Sequence, residues 1–177
     1  MFHHKKNRYP SITLIQGSLH PASHTAILLD AASRILSARN VAYSLLDLRA
    51  ADLDLCDGRA PEGYGLSTRD SIEMVKKSDV IFFGIPAYAA QAPGPLKNVI
   101  SLTEELLNGK RAGLICFSEK GVAYEASLDL MSQLTDAGVR ILKPVVLVSK
   151  DGFRGKAIFD DVVLQLLEEL VDAALKA

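Results

Sequence analysis

The chain contains no tryptophan and only two cysteines in 177 residues. Cys56 and Cys116 lie far apart, so they form neither a disulfide framework nor a C-x-x-C metal or redox pair. One is expected as a loop thiol and the other as a buried strand thiol. Long apolar runs are also missing: none approaches the roughly 18 residues of a membrane span. The opening "MFHHKKNRYP" is polar and basic, without the apolar segment of a secretory signal. A cytoplasmic protein with no membrane partner is expected. Neither charge is in excess, with 20 Lys and Arg against 21 Asp and Glu for a net charge of −1. The basic residues are scattered, which leaves no footprint for nucleic acid.

Two phosphate-binding signatures are absent as well. No lysine falls between Gly17 and Lys76, which removes a G-x-x-x-x-G-K-[ST] loop, and Leu19 and Ala22 stand where G-x-G-x-x-G would place its later glycines. NTP hydrolysis and a dinucleotide-binding Rossmann site lose most of their support. The "QGSLH" around Ser18 is not a G-x-S-x-G nucleophile elbow. His20 and His24 are four apart, but Pro21 lies between them and no Cys or carboxylate motif completes a ligand set, so no metal is expected.

What is present is alternation. Ser11–Gly17, Val41–Leu48, Asp79–Ile85, Arg111–Phe117 and Ile141–Ser149 read as strands, and three of them are apolar on consecutive positions. Strands of that kind need cover on both faces. Between them run helical stripes. Ile27/Leu28, Ala31/Ala32 and Ile35/Leu36 mark the first, and Ser67–Ser78, Leu96–Leu107, Val122–Ala137 and Ala157–Lys176 carry the others. Five βα units predict an α/β fold, a three-layer α/β/α sandwich on a five-stranded parallel sheet. Residues 11–177 are expected as a single domain, residues 1–10 as a flexible N-terminus, and Asp57–Gly65 as a long surface loop. The segment Pro95–Leu107 carries Leu96, Val99, Ile100, Leu102, Thr103, Leu106 and Leu107, more apolar circumference than one sheet face covers. A homo-oligomer is expected from it.

In such sheets ligands gather at the carboxyl ends of the strands, near the reversal of strand order. After the first strand, Ser18–Thr25 offers three hydroxyls and a row of backbone N–H groups at a helix N-terminus, which attract an anion. One hydroxyl could simply cap the helix; three exceed what a cap needs. A phosphate monoester held without lysine or metal fits, and flavin mononucleotide (FMN) carries one. After the third strand, "GIPAYAAQAPGPLKN" (Gly84–Asn98) fixes an irregular backbone beside Tyr88, suited to reading the polar edge of a flat ring.

These segments resemble a known family. "GSLHPASHT", "PAYAAQAPGPLKNVIS" and "FSEKGVAYEA" look like the three FMN-binding loops of the NADPH-dependent FMN reductases, over roughly Ser11 to Ser149. The resemblance implies a flavodoxin-like fold and NAD(P)H-dependent reduction of flavins, quinones, azo dyes or chromate. It places Ser18, His20, Ser23 and Thr25 at the FMN phosphate, and Pro86, Ala87, Tyr88 and Ala89 around the isoalloxazine ring with Ser118, Glu119, Lys120 and Gly121. The chain departs from the family in having His20 for an arginine, Ala89 and Ala90 for a polar or glycine pair, and Glu119 and Lys120 for glycines. With FMN carrying the redox chemistry, no catalytic acid, base or nucleophile is required. The backbone amides of Ser118–Gly121, with Lys120, are expected to offset charge at the ring's N1–O2 edge. NAD(P)H is the expected co-substrate, with ping-pong kinetics on one open ring face. The acceptor is a small molecule or, through reduced flavin, a flavin-dependent monooxygenase, and the oligomer is a homodimer or homotetramer. A flavodoxin-type electron carrier is the alternative.

Overall fold

The computed structural model describes residues 9–176. Of the segment expected to be flexible, residues 1–8 lie outside the described residues, and Tyr9 packs half-buried against the core. The central sheet comprises β1 (Ile12–Gln16), β2 (Tyr43–Asp47), β3 (Val80–Pro86) and β4 (Arg111–Ser118), plus a fifth position shared by β5 (Arg140–Ile141) and β6 (Val146–Ser149). Strand order is β2-β1-β3-β4-β5, with β6 also on β4, and every pairing in this sheet is parallel. This is the 2-1-3-4-5 order of a flavodoxin-like sheet.

The three strands expected to be buried on both sides are so. β3, VIFFGIP, is buried at every position because its pleat sends successive side chains to opposite layers. Phe82 joins a core with Leu28, Leu36, Leu167 and Leu170 under α1 (His24–Ala38) and α5 (Asp161–Leu175). Phe83 joins the other, with Val75, Leu96 and Leu130, under α2 (Leu66–Lys76), α3 (Gly94–Leu107) and α4 (Ala123–Asp136). β2, at the sheet edge, instead leaves Tyr43 and Leu45 exposed.

Three sequence expectations need correction. The fifth strand is not continuous: Leu142–Val145 interrupts it, where Pro144 has no N–H to give the β4 ladder. The last helix begins at Asp161 rather than Ala157. Ala157–Ile158 (β8) pairs antiparallel with Phe153–Arg154 (β7), and Asp160 caps α5 by accepting from Val162 N–H at 2.9 Å. The Asp57–Gly65 loop lies at the surface as expected, exposed at every position but Tyr64, which is buried beneath the Arg59 guanidinium, and it contains a 3₁₀ turn at Pro61–Gly63. On α3, Leu96, Val99, Ile100, Thr103 and Leu107 are buried, while Leu102 and Leu106 are half-buried on a helix that packs between α2 and α4. The apolar circumference of α3 is thus largely taken up within the chain.

The loops after β1, β3 and β4 converge at the carboxyl end of the sheet. Gly17 and Gly84 allow the first two to approach. Gly17 N–H donates to Gly84 O at 3.0 Å, and a Cβ on Gly17 would lie 2.7 Å from that oxygen and 2.4 Å from Leu96 Cδ1. No side chain fits there.

Candidate functional site

The three loops enclose a cavity of about 810 Å³. Ser18, His20, Ser23, Thr25, Pro86, Ala87, Tyr88, Ala89, Ser118, Glu119 and Lys120 all line it. Of the expected residues only Gly121 does not. Its φ of 74° shows why glycine stands there, since the loop turns through a conformation that L side chains disfavour.

The first loop sorts its hydroxyls into different tasks. Ser23 is the N-cap of α1: its Oγ accepts from Ala26 N–H at 3.1 Å, so part of its expected ligand role goes to the helix. Ser18 Oγ, buried, accepts from His20 N–H at 3.3 Å and lies 3.4 Å from the Tyr88 hydroxyl. Thr25 differs from both. Thr25 lines the cavity from the first turn of α1, and its Oγ1 is buried with no hydrogen-bond partner among the described residues. An orphaned buried hydroxyl costs about 1–3 kcal/mol unless something meets it. The N–H groups of Leu19, His24 and Thr25 also find no protein acceptor among the described residues. Those of His24 and Thr25 stand at the positive end of the α1 dipole, where an anion is favoured. His20 is exposed, and its Nδ1 accepts from Ala22 N–H at 3.1 Å, which leaves Nε2 without a partner among the described residues.

In the second loop, Tyr88 and Gln91 exchange backbone hydrogen bonds of 3.1 and 2.9 Å across Ala89 and Ala90. Both alanines have left-handed φ values, 48° and 63°, as in the hairpin turn that normally takes Asn-Gly. An L residue in that region costs roughly 1–2 kcal/mol. Tyr88 stands at the rim, half of its surface exposed.

In the third loop, Ser118 Oγ accepts from Lys120 N–H at 3.1 Å and from Val122 N–H at 3.0 Å. Lys120's amide is therefore spent on the loop itself, contrary to the expectation that it faces a ligand. Those of Glu119 and Gly121 find no protein acceptor among the described residues. The side chains of Glu119 and Lys120 are exposed.

Sequence reasoning missed several residues. Gln16 ends β1 fully buried, and its side-chain amide grips Ser18 from both sides: Nε2 donates to Ser18 O at 2.6 Å, and Oε1 accepts from Ser18 N–H at 2.8 Å. His24 lines the cavity, stacked on Phe117 with ring centroids 4.5 Å apart and edged by Phe153 at 4.6 Å. Arg49, clamped to Asp47, donates through Nη1 to Pro21 O at 3.4 Å. Ala22, Ala90 and Val122 complete the lining. Two residues of the P-G-x-L-K-N run prove structural: Lys97 pairs with Asp129 at 2.9 Å, and Asn98 holds Cys56 N–H and Asp54 O. Cys116 is buried in β4, and burial pushes its thiol up to about 12, which excludes a nucleophile there. Among the described residues no three His, Cys, Asp or Glu gather as a metal would require, and no helix is long and apolar enough to cross a membrane.

The model of one protein family, the NADPH-dependent FMN reductases, matches residues 10–152. The chain belongs to that family. The matched segment carries all three loops and stops short of α5. An NAD(P)H-dependent FAD/FMN reductase of Geobacillus thermodenitrificans is 32% identical over 95 residues, which cover 53% of this chain and 50% of that protein. The match therefore spans about half the length of that relative. Solved structures share the fold of this FMN reductase family member over nearly its whole length. An NADH:FMN oxidoreductase in its apo form aligns with a TM-score of 0.75 at 23% identity, covering 95% of this chain and 91% of the other. A flavoenzyme NAD(P)H:acceptor oxidoreductase from Paracoccus denitrificans gives 0.74 at 19%, covering 93% and 94%. An archaeal flavodoxin gives 0.62 at 15%, covering 93% and 95%. The flavodoxin-like fold is thereby established.

Proposed function

We propose that the cavity holds FMN and that the chain is an NAD(P)H-dependent FMN reductase serving flavin, quinone or another small acceptor. The observation that carries the reading is Thr25 Oγ1, a buried hydroxyl without a partner among the described residues, at the N-terminus of α1. Phosphate would accept from it, from the Ser18 and Ser23 hydroxyl protons, and from the unpartnered amides of Leu19, His24 and Thr25. His20 Nε2 stands in for the family's arginine. The isoalloxazine would lie against Pro86–Ala89 and the Ser118–Gly121 loop, with the Glu119 and Gly121 amides facing its polar edge. FMN, when bound, supplies two-electron chemistry between a nicotinamide and an acceptor. The chain's own residues bind and orient it, and no side chain is needed to move a proton.

Family membership supports a cytoplasmic enzyme, with residues 11–177 acting as one unit. Self-association into a homodimer or homotetramer is supported by the same likeness and by the exposed apolar side chains of Tyr88, Tyr124 and Leu128. A monomer in light scattering at micromolar concentration would remove it. Reduced flavin passed to a monooxygenase is one fate of the product.

Mixing the purified protein with FMN and either NADPH or NADH under air tests the reading. Saturable flavin binding with nicotinamide oxidation is expected. Tight FMN without turnover would make the protein a carrier of the flavodoxin type, and no flavin binding would end the proposal. The near-neutral net charge of −1 argues against a carrier, which docks its partners through a charged surface.

A further inference from the structure

The turn at Tyr88–Gln91 forms a wall of the cavity, yet its backbone works against its own sequence. Ala89 and Ala90 hold φ of 48° and 63°, where the Cβ of an L residue crowds the following carbonyl. The paired bonds between Tyr88 and Gln91 are those of any two-residue hairpin and do not favour alanine over glycine. Disfavoured conformations persist only where the surroundings over-determine them, so something outside the turn must hold it.

Two attachments flank it. Before the turn, Ala87 N–H donates to Phe117 O at 2.8 Å, which extends the β3–β4 ladder. After it, Ala92 N–H donates at 3.0 Å to Asp129 Oδ2, a side chain reaching over from α4. The same carboxylate takes Lys97 Nζ of α3 at 2.9 Å, and its Oδ1 takes Gln133 Nε2 at 3.4 Å. Ala92 is buried among the residues under α3 and α4. Asp129 is thus the joint at which the turn, α3 and α4 meet, and it does not itself line the cavity.

We propose that Asp129 is a positioning residue that clamps the Ala89–Ala90 turn against the cavity and thereby sets its affinity for the flavin ring. The flavin part rests on the function proposed above; the clamp does not.

The test uses the full-length protein with Asp129→Ala and Asp129→Asn, each in the native background and in one carrying Ala89→Asn with Ala90→Gly, which suits the turn. Amide hydrogen exchange at Tyr88 and Gln91, without flavin, reads the clamp, since Ala92 N–H loses its own acceptor in Asp129→Ala whatever the turn's sequence. Asp129→Ala should speed exchange at Tyr88 and Gln91 by about tenfold and leave the second half of α4 unchanged. It should also raise the dissociation constants of both FMN and riboflavin by about tenfold, since the turn faces the ring rather than the phosphate. Asp129→Asn keeps an oxygen for Ala92 N–H and should recover most of both effects. In the Asn-Gly background, Asp129→Ala should alter either quantity by less than about threefold, because no disfavoured turn remains to be held. Unchanged exchange in Asp129→Ala, or an equal rise in both backgrounds, overturns the clamp. Faster exchange with unaltered flavin affinity overturns its role in the site. A native protein that binds no flavin defeats the proposed function instead, and the exchange measurement then decides the clamp alone.

Discussion

The loop after β1 keeps its shape through buried, satisfied polar bonds, whereas the loop after β3 keeps a shape that its own residues disfavour. In the first, Gln16 pins Ser18, Ser23 caps α1, and one hydroxyl, Thr25 Oγ1, is left over. In the second, two alanines sit in a glycine-like turn and are held from α4. The difference follows from what each loop must present. A phosphate needs fixed donors, and unsatisfied donors stay fixed only when their neighbours are fully bonded. A flat ring needs a shaped wall, and small side chains on an irregular backbone supply one.

The two loops share a root at Gly17 and Gly84, so the largest effect comes from substituting there. Gly17→Ala would put a Cβ 2.7 Å from the Gly84 carbonyl oxygen, a backbone atom that cannot turn aside. A loss of about 3 kcal/mol or more in urea denaturation is expected. A loss under about 1 kcal/mol would show that the two loops are not locked together at this point.

Within the first loop, Gln16→Leu strands a buried N–H and a buried C=O of Ser18. Two such groups cost roughly 1–3 kcal/mol each, and because they share one partner their costs are less than additive, so a loss of about 2–4 kcal/mol is expected, with FMN weakened alongside. If stability falls while FMN affinity holds, the amide grip serves the fold and not the loop's aim.

Thr25→Val should move two quantities in opposite directions. Removing an unpartnered buried hydroxyl at nearly constant shape should stabilise the flavin-free protein by about 1 kcal/mol. The same change should weaken FMN by about 1.5–3 kcal/mol, the worth of a hydrogen bond to a charged group, and leave riboflavin, which lacks the phosphate, unaffected. Denaturation without flavin and paired FMN and riboflavin titrations measure both. A parallel loss for riboflavin would mean that Thr25 does not face the phosphate.

Much of this contrast was legible in the sequence, and what was not has a common cause. The alternation of apolar runs with helical stripes and the missing lysine and glycines led to the right three loops. Which hydroxyl caps and which is spare depends on where α1 begins, to a single residue, and periodicity does not resolve that. Gln16 did not stand out within the Ser11–Gly17 strand because its partner is backbone, which leaves no pattern in side-chain types. Lys97 and Asn98 were legible as part of a motif but not as structural residues, because their partners Asp129 and Asp54 lie far off in the chain. The β7–β8 hairpin was lost because two-residue strands carry no period, and its Ala157–Ile158 ran smoothly into the stripe of α5.

Acid should separate the two loops by the smallest of these effects. The first loop meets a carboxylate only at second hand, through Arg49 held by Asp47, whereas the second rests on Asp129 directly. Burial alone would raise that carboxyl, but the Lys97 ammonium, the Ala92 N–H and the Gln133 amide together hold it below the usual carboxylate value. A group whose pKa is depressed on folding stabilises the native state above its unfolded pKa, about 3.9 for aspartate, and loses that contribution as pH falls through the folded value. The stability of the native protein should therefore exceed that of Asp129→Asn at pH 7. The gap should stay level down to about pH 5 and close below about pH 4, as native Asp129 takes up its proton. Because the pair is partly open to solvent, with side-chain exposures of 33% for Lys97 and 26% for Asp129, the gap should stay below about 1 kcal/mol. Urea denaturation of both proteins from pH 7 to pH 3 measures it. A gap that does not narrow with acid would mean that Asp129 holds Ala92 by its oxygen alone, and that its charge and Lys97 add nothing to the clamp.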